Sequence, residues 1–567
     1  MEDRYKNRPL TEQPSFFLGD AQVDPPSLCI KRDGTSHRVE AKVMQVLLEL
    51  TRAPGRVVSR QDLEREVWPG RVVTADAVTN AVVKLRKALN DNPRKSKVIE
   101  TIAKSGYRLK IEPSMVVEDQ GLEKGTAAAG TVKQRSWPRQ AFVALLLIVA
   151  VAIFAFLNWH SPEELTSNSF GEDKNPSIAV IPFDVLGEDT SQTYFAEGIT
   201  LDLITELSRL PGLLVIAPGT VFGYRETEVD DRVIASELGV LYLIRGGVQR
   251  AGDRVRINVR LLETTRGRML WAERFVGDTN SVFQIQDEVV ERIAAALQVR
   301  LTQSMLPLRR SGATKSIAAY DEFLRGQERY GRRTPGDNRV AQLHFERAIA
   351  LDPSFARAYA GLALTWSRLA IDGWATDADK VLTKAAEYAR KAAAIDPSIP
   401  QIHFVRAQVE LFRGKHERAA AAATAAIELD PNYADAYALL AWILHYAGRP
   451  DHAWSALGEA LKRNPNSAAS YREIAGEIYF TTGRFQQAAK EFEAALERNP
   501  AHMRARLWFA ATLLRLGQDE EAAWEVQELI AINPDFSLSR MLLAFPLKDP
   551  YQLDALTAAL AQLGLPE

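Results

Sequence analysis

Apolar positions along this chain fall into three rhythms, with one unbroken apolar run set among them. Residues 15–113 mix short strand-like pieces with helical stripes. Phe16–Gly19, Ser27–Lys31 and His37–Val39 read as strands, and Asp33-Gly34 is a turn signal. Ala41–Thr51 carries Val43, Val46, Leu47 and Leu50 on one helical face, and Pro54-Gly55 ends it. Ser59 reads as the N-cap of a second helix reaching Trp68, with Asp62 three residues on as an acidic form of the capping box. A third helix is predicted over Ala75–Leu89. Val78, Ala81, Val82, Leu85, Ala88 and Leu89 make its apolar stripe, leaving Asp76, Thr79, Asn80, Val83, Lys84 and Lys87 outward. Val98–Ile102 and Tyr107–Ile111 then form two strands around Ala103–Gly106, a hairpin tip that carries Lys104.

The apolar run is Ala141–Leu157, 17 residues without a charge, the short end of what spans a bilayer. Trp137 and Trp159 bracket it, and a transmembrane helix is predicted over 139–159. Lys133, Arg135 and Arg139 precede it, whereas Glu163, Glu164 and Asp173 follow. Basic residues mark the cytoplasmic side, so the expectation is a single-pass protein of a bacterial inner membrane, its N-terminus cytoplasmic and its C-terminal region periplasmic. Residues 114–136, rich in glycine, alanine and polar residues, read as a flexible linker. No GxxxG lies within the run to support helix-driven dimerisation.

Beyond it, residues 176–303 alternate strand and helix signals. Ser177–Phe183, Leu213–Ile216, Leu241–Gln249, Arg254–Glu263 and Met269–Phe275 read as strands, and Gln192–Arg209 and Val282–Leu301 as helices. In Arg254–Glu263, Val255, Ile257, Val259 and Leu261 alternate with Arg254, Arg256, Asn258 and Arg260, as a strand with one buried face requires. From 315 to 567 a repeat takes over. Asp/Asn-Pro pairs place prolines at 353, 397, 431, 465, 500 and 534, with spacings of 44, 34, 34, 35 and 34. A 34-residue period is that of tetratricopeptide repeats. Small residues such as Gly476, Ala488 and Ala495 let paired helices approach, and Phe492 fills between them. Six helix pairs and a cap at Leu553–Leu563 are predicted, with about ten extra residues of the long interval placed at Ile371–Asp379, between helices. The predicted fold class is therefore multidomain: a winged helix-turn-helix of α+β type, one transmembrane helix, an α/β domain and an all-α repeat solenoid with a concave binding face.

Composition changes this picture in one place. The whole chain is nearly neutral, with 70 Lys and Arg against 72 Asp and Glu. Between Arg60 and Lys110, however, twelve basic residues face six acidic ones, which suits a polyanion. The single cysteine, Cys29, lies in the head, so the body has no disulfide. The eight histidines show no metal-ligand spacing. Glu197, Asp202 and Glu206 recur on one helix at the spacing of a solvated face, and Gly246-Gly247 lacks the helix and lysine of a phosphate loop. No catalytic, metal-binding or cofactor-binding residues are assigned, no cofactor is expected, and the chain is read as not an enzyme.

The stretches APGRVVSRQDLEREVW (53–68), TADAVTNAVVKLRKALND (74–91) and VIETIAKSGYRL (98–109) resemble the OmpR/PhoB-type DNA-binding domain, in its ToxR/CadC-like membrane-anchored variety. The resemblance implies a third helix in the major groove and a hairpin against phosphates or the minor groove. It points to Thr79, Asn80, Lys84 and Lys87 as groove-facing, Arg86 in the matching LRKAL element, Ser59 and Arg60 near the backbone, and Lys104 and Arg108 on the hairpin. Val83 stands where a basic residue is usual, and only about fifteen residues precede the domain, too few for a phosphoacceptor receiver. The segment from IAVIPF to LGVLYLIRGGVQR is similar to the TolB N-terminal or FlgO-like domain, which implies protein or small-ligand binding. The expected whole is a membrane-anchored transcriptional regulator. Its partners would be promoter DNA, the inner membrane and a protein or small ligand at the periplasmic repeats, with a homodimer on DNA if two heads meet at adjacent half-sites. The alternative is an envelope scaffold that assembles complexes through its repeats. A relation to nucleotide cyclases with a similar body ranks last, since no segment resembles their catalytic domain.

Overall fold

The computed structural model describes residues 13–32, 35–67, 75–91, 96–102, 106–115, 176–187, 192–225, 229–278, 281–297, 314–466, 469–533, 536 and 546–565. The predicted helix at 139–159 lies outside them, as does the linker from 116 to 136. No helix among the described residues is long and apolar enough to cross a membrane. The fold class is corrected to one whose described residues hold no membrane-spanning helix, and the expected inner-membrane localisation is left without support. What stands is a winged-helix head, an α/β unit and a large all-α solenoid.

The head opens with β1 (Phe16–Leu18), β2 (Ala21–Asp24), β3 (Cys29–Arg32) and β4 (Thr35–Arg38), an antiparallel meander. The strand Ala21–Asp24 escapes the sequence reading because AQVD holds a single strand-favouring residue, Val23. Three helices follow: α1 (Ala41–Arg52), α2 (Arg60–Val67) and α3 (Ala75–Ala88). Two-residue β5 (Val57–Val58) pairs with β7 (Gly106–Leu109), which pairs with β6 (Ile99–Ile102). Ser114–Met115, expected to begin the linker, instead forms β8 on the far side of β1, with Phe16 opposite Met115. The six stripe residues of the third helix are all buried, in one core with Phe16, Leu47, Leu63 and Tyr107.

The α/β unit is built on β9 (Ser177–Val180), β10 (Asp184–Val185), β11 (Leu214–Val215), β12 (Tyr242–Ala251), β13 (Arg254–Glu263) and β14 (Arg268–Asp278). The sheet order is β11-β9-β12-β13-β14, with β10 also on β12. The first connections are parallel, so they need crossover helices. These are α4 (Thr193–Ser208), α5 (Pro218–Val221) and α6 (Asp231–Leu238), and α7 (Val282–Ala296) follows the last strand. Val255, Ile257, Val259 and Leu261 are buried as their alternation predicts.

Six helix pairs form the repeats, from α8 (Ile317–Gly331) and α9 (Pro335–Leu351) through α10 (Ala356–Ile371), α11 (Ala378–Ile395), α12 (Pro400–Phe412), α13 (His416–Leu429), α14 (Ala434–Tyr446), α15 (Pro450–Arg463), α16 (Ala469–Thr481), α17 (Phe485–Arg498), α18 (Met503–Arg515) and α19 (Asp519–Ile532). A last helix, α20 (Pro550–Ala561), follows. Phe492 is fully buried, and a Cβ at Gly476 would stand 2.6 Å from its ring. The long second repeat does not hold its extra residues in one insertion. Its helices have 16 and 18 residues, against 13 and 14 in the next pair, and only the remainder lengthens the loop.

The first helix pair shares a core with the sheet: Tyr320, Phe323, Leu324 and Phe345 join Ile178, Phe195 and Leu203. This corrects the reading of α4 as carrying a solvated acidic face. Glu197 and Asp202 are buried. Asp202 pairs with Arg357 and accepts a hydrogen bond from the Tyr320 hydroxyl, while Glu197 pairs with Arg225.

One backbone detail marks the first repeat. The residue just past the C-cap of the first helix is left-handed in each pair, and in the other five pairs it is glycine, at 373, 414, 448, 483 and 517. The first repeat has Arg333 there, at φ 55°. A side chain in this region is strained, while glycine is not. Arg333→Gly therefore relieves about 1 kcal/mol of backbone strain but gives up the attraction of the guanidinium to Asp435 and Asp372, and the urea midpoint measures the difference.

Candidate nucleic-acid interface

The interface is assembled from α2, α3 and the β6–β7 hairpin. Ser59 caps α2: its Oγ accepts from the Asp62 amide at 3.1 Å and donates to the Asp62 carboxylate at 2.7 Å. That hydrogen bond, with Arg65 beside it, holds the Asp62 carboxyl below the usual carboxylate range. Arg60 lies 5.3 Å from the centroid of the Tyr107 ring and donates to its hydroxyl at 3.0 Å. It therefore braces α2 against β7 while remaining half-buried.

On α3, burial of the apolar stripe turns Lys84 and Lys87 to solvent. Lys84 pairs with Glu40, the residue that precedes α1, and both side chains are more than half exposed. Such a pair contributes little and is readily exchanged for a phosphate. Thr79 and Asn80 belong to α3 by position, but their side chains lie outside the described residues.

Arg86 corrects the sequence reading. It is 5% exposed, and its guanidinium donates to the Ile99 carbonyl at 3.0 Å and the Thr101 hydroxyl at 2.9 Å. It ties α3 to the hairpin from inside and does not face a groove. Arg108 sits opposite Glu100 in the β6–β7 register and pairs with it, Nε to carboxylate at 2.8 Å. Its charge is thus partly neutralised where a phosphate contact was expected. Lys104, at the hairpin tip, lies outside the described residues.

Two supports went unread in the sequence. Asp91, 4% exposed, accepts from three successive amides, Lys97 at 2.7 Å, Val98 at 3.1 Å and Ile99 at 2.8 Å. It fixes where the chain enters the hairpin, as a carboxylate bound to several amides does strongly. Gly106, at φ 137°, passes so close to β5 that a Cβ would stand 2.1 Å from the Val58 carbonyl oxygen. An Asp soon after a helix and a Gly opening a strand are the signals that could have found them. The result is a helix with exposed lysines, set at a fixed angle beside a hairpin. Among the described residues no cluster of His, Cys, Asp or Glu could hold a metal ion.

The family model described as "Transcriptional regulatory protein, C terminal" matches residues 34–109, and two tetratricopeptide repeat models match 422–454 and 479–544. The chain is 38% identical over 232 residues to the putative adenylate cyclase 3 of Rhizobium meliloti (strain 1021), covering 41% of this chain and 40% of that protein. It is 34% identical over 113 residues to the transcriptional activator CadC of Escherichia coli (strain K12), covering 20% of this chain and 22% of that one. A solved structure of the DNA binding domain of E. coli CadC is 34% identical and covers 18% of this chain and 97% of that domain, with a TM-score of 0.17. The chain thus spans less than half the length of the curated relatives named here. It carries an OmpR/PhoB-type winged-helix DNA-binding domain and tetratricopeptide repeats. Membrane anchoring and the TolB N-terminal or FlgO-like character of residues 176–303 gain nothing from these matches.

Proposed function

We propose that this protein is a transcriptional regulator. Its head binds double-stranded DNA through α3 and the β6–β7 hairpin, and its α/β unit and repeats recognise a protein or small ligand that sets its activity. The observation that carries the reading is the match of residues 34–109 to the regulatory-protein family, on a segment whose third helix turns Lys84 and Lys87 outward. Thr79 and Asn80 are the residue types that bond base edges, and lysines are those that meet phosphates. Two heads at adjacent half-sites would bind as a dimer. The reading places no reaction on the chain: the word cyclase belongs to a relative of which this chain spans 40%.

The test is duplex binding by the full chain across a salt series, with genome-wide mapping of bound sites. Replacing Lys84 and Lys87 together by alanine should weaken binding alike on all sequences. It should also lower the slope of log affinity against log salt by about 2, since each phosphate contact contributes about 0.9. Replacing Asn80 by alanine should instead change sequence preference, by about 1–3 kcal/mol at one base pair. A chain that shows no salt-dependent duplex binding would end the proposal.

A further inference from the structure

The repeats surround a cavity of about 1410 Å³, closed on one side by α4 and by residues 215–225 of the α/β unit. Its wall carries a row of carboxamides, Asn432, Asn464, Asn499 and Asn533, supplied by successive repeats. The first is occupied by this chain's own sheet edge and the second by helix α5, which follows it. Strand β11 is the edge of its sheet, so half of its backbone groups point away from β9. Leu214 and Ile216 turn their amides inward, to the Pro176 and Ile178 carbonyls at 2.9 and 3.0 Å. Val215 and Ala217 turn theirs outward into the repeats. There the Val215 amide meets Asn432 Oδ1 at 3.1 Å and the Ala217 amide meets the Arg463 carbonyl at 2.7 Å.

Asn432 does more than accept. Its Nδ2 donates to the Leu213 carbonyl at 2.8 Å and the Ser208 carbonyl at 2.9 Å. One carboxamide thus bonds an amide and a carbonyl two residues apart on the same side of an extended strand, as the backbone of a neighbouring strand would. Three residues beyond Ala217, the Thr220 hydroxyl donates to Asn464 Oδ1 at 2.6 Å and accepts from the Asn466 amide at 3.1 Å. Asn432, Asn464 and Thr220 are all buried, so these bonds form away from water. Asn499 and Asn533 follow Asn464 at the repeat period and line the cavity beyond this segment.

We propose that the concave face of the repeats takes an extended segment whose backbone is read by Asn432 and whose following hydroxyl is taken by Asn464, and that residues 213–220 fill this site in cis. An extended peptide in trans gains the site only when that segment leaves. The α/β unit is then the built-in competitor of the repeats' partner, and capture of the partner releases the sheet edge. None of these groups lies in the head, so the inference is independent of DNA binding.

The test uses the full chain and a fluorescent peptide with the sequence of residues 211–222, PGLLVIAPGTVF, carrying a charged solubilising tail. Gly219→Leu with Thr220→Val evicts the segment and leaves the groove intact, because the Gly219 Cβ position already lies 3.2 Å from the Asn464 amide nitrogen. The peptide should bind this double variant at least about tenfold tighter than the wild type, whose site is mostly closed. The amides of Val215 and Ala217 should exchange faster in the variant than in the wild type. Thr220→Val alone, nearly the same shape, should give a smaller gain of the same sign and guards against misfolding by the bulkier change. Adding Asn432→Asp, which removes both donated bonds, should abolish the gain. Equal peptide binding by wild type and both variants overturns the proposal, and so does a gain that survives Asn432→Asp.

Discussion

Replacing Arg504 with alanine should cost about 3–5 kcal/mol of stability, the loss expected when one partner leaves a buried ion cluster. Arg504 is 3% exposed between two buried glutamates: its Nε reaches Glu473 at 2.8 Å, and its Nη2 reaches Glu477 at 3.1 Å and the Tyr446 hydroxyl at 2.8 Å. The guanidinium also lies 4.5 Å from the centroid of the Trp442 ring. One cation therefore serves two carboxyls, and they titrate apart. Burial opposes the charge of Glu473, but His502 and Arg504 outweigh it and hold this carboxyl below the usual range. Burial pushes Glu477 up, and the Glu473 charge beside it adds to the rise despite Arg504.

The signs follow by linkage. A depressed carboxyl such as Glu473 contributes stability present above the ordinary glutamate range and lost as pH falls through it. A raised one such as Glu477 contributes stability present in acid and lost as pH rises toward its folded value. Without Arg504, Glu477 is raised further and Glu473 keeps only His502 to hold it down, so the deficit of the variant should grow from about pH 5 to about pH 8 and shrink again in acid. Urea midpoints of both proteins across that range check this. A deficit that does not change with pH would mean that only packing was lost.

The second large effect belongs to the head. Gly106→Ala should cost about 3 kcal/mol or more, because the new Cβ meets backbone rather than a movable side chain and also enforces an unfavourable φ. The contact is with Val58 and Ser59, so the strain falls on the β5–β7 pairing and on the cap of α2 together. Lower thermal stability of the head by hydrogen exchange, and duplex binding weakened at every sequence, are the expected results. Unchanged exchange at Tyr107 and Leu109 would show that β5 shifts to make room.

What could be read from the sequence was what repeats locally. The stripe from Val78 to Leu89 and the alternation from Val255 to Leu261 declare their buried faces by spacing alone, and the prolines declare the repeats. Arg86 was misread because it adjoins that stripe with a long charged side chain, and such a chain can bury its stem and end on a carbonyl and a hydroxyl of a hairpin thirteen and fifteen residues on. Glu197 and Asp202 were misread for a non-local reason. A helical wheel sees acids on one face, but the Tyr320 and Arg357 that cover Asp202 lie 118 and 155 residues away. Asp91 was missed because its partners are amides, which a sequence shows everywhere alike.

The core shared by the sheet and the first helix pair bears on how this chain comes apart. The pattern changes character near residue 315, and a protease map or a gene truncation would naturally be drawn there. Yet Tyr320, Phe323, Leu324 and Phe345 lie in one core with Ile178 and Leu203, packed on the helix α4 that covers the sheet. In cooperative unfolding the first pair, together with Phe355 and Leu362 of the next, should thus melt with the strands before it. A chain cut at 315 would strip Tyr320, Phe323 and Phe345 from that core, and one cut after Leu351 would still lose Phe355 and leave Asp202 buried without Arg357.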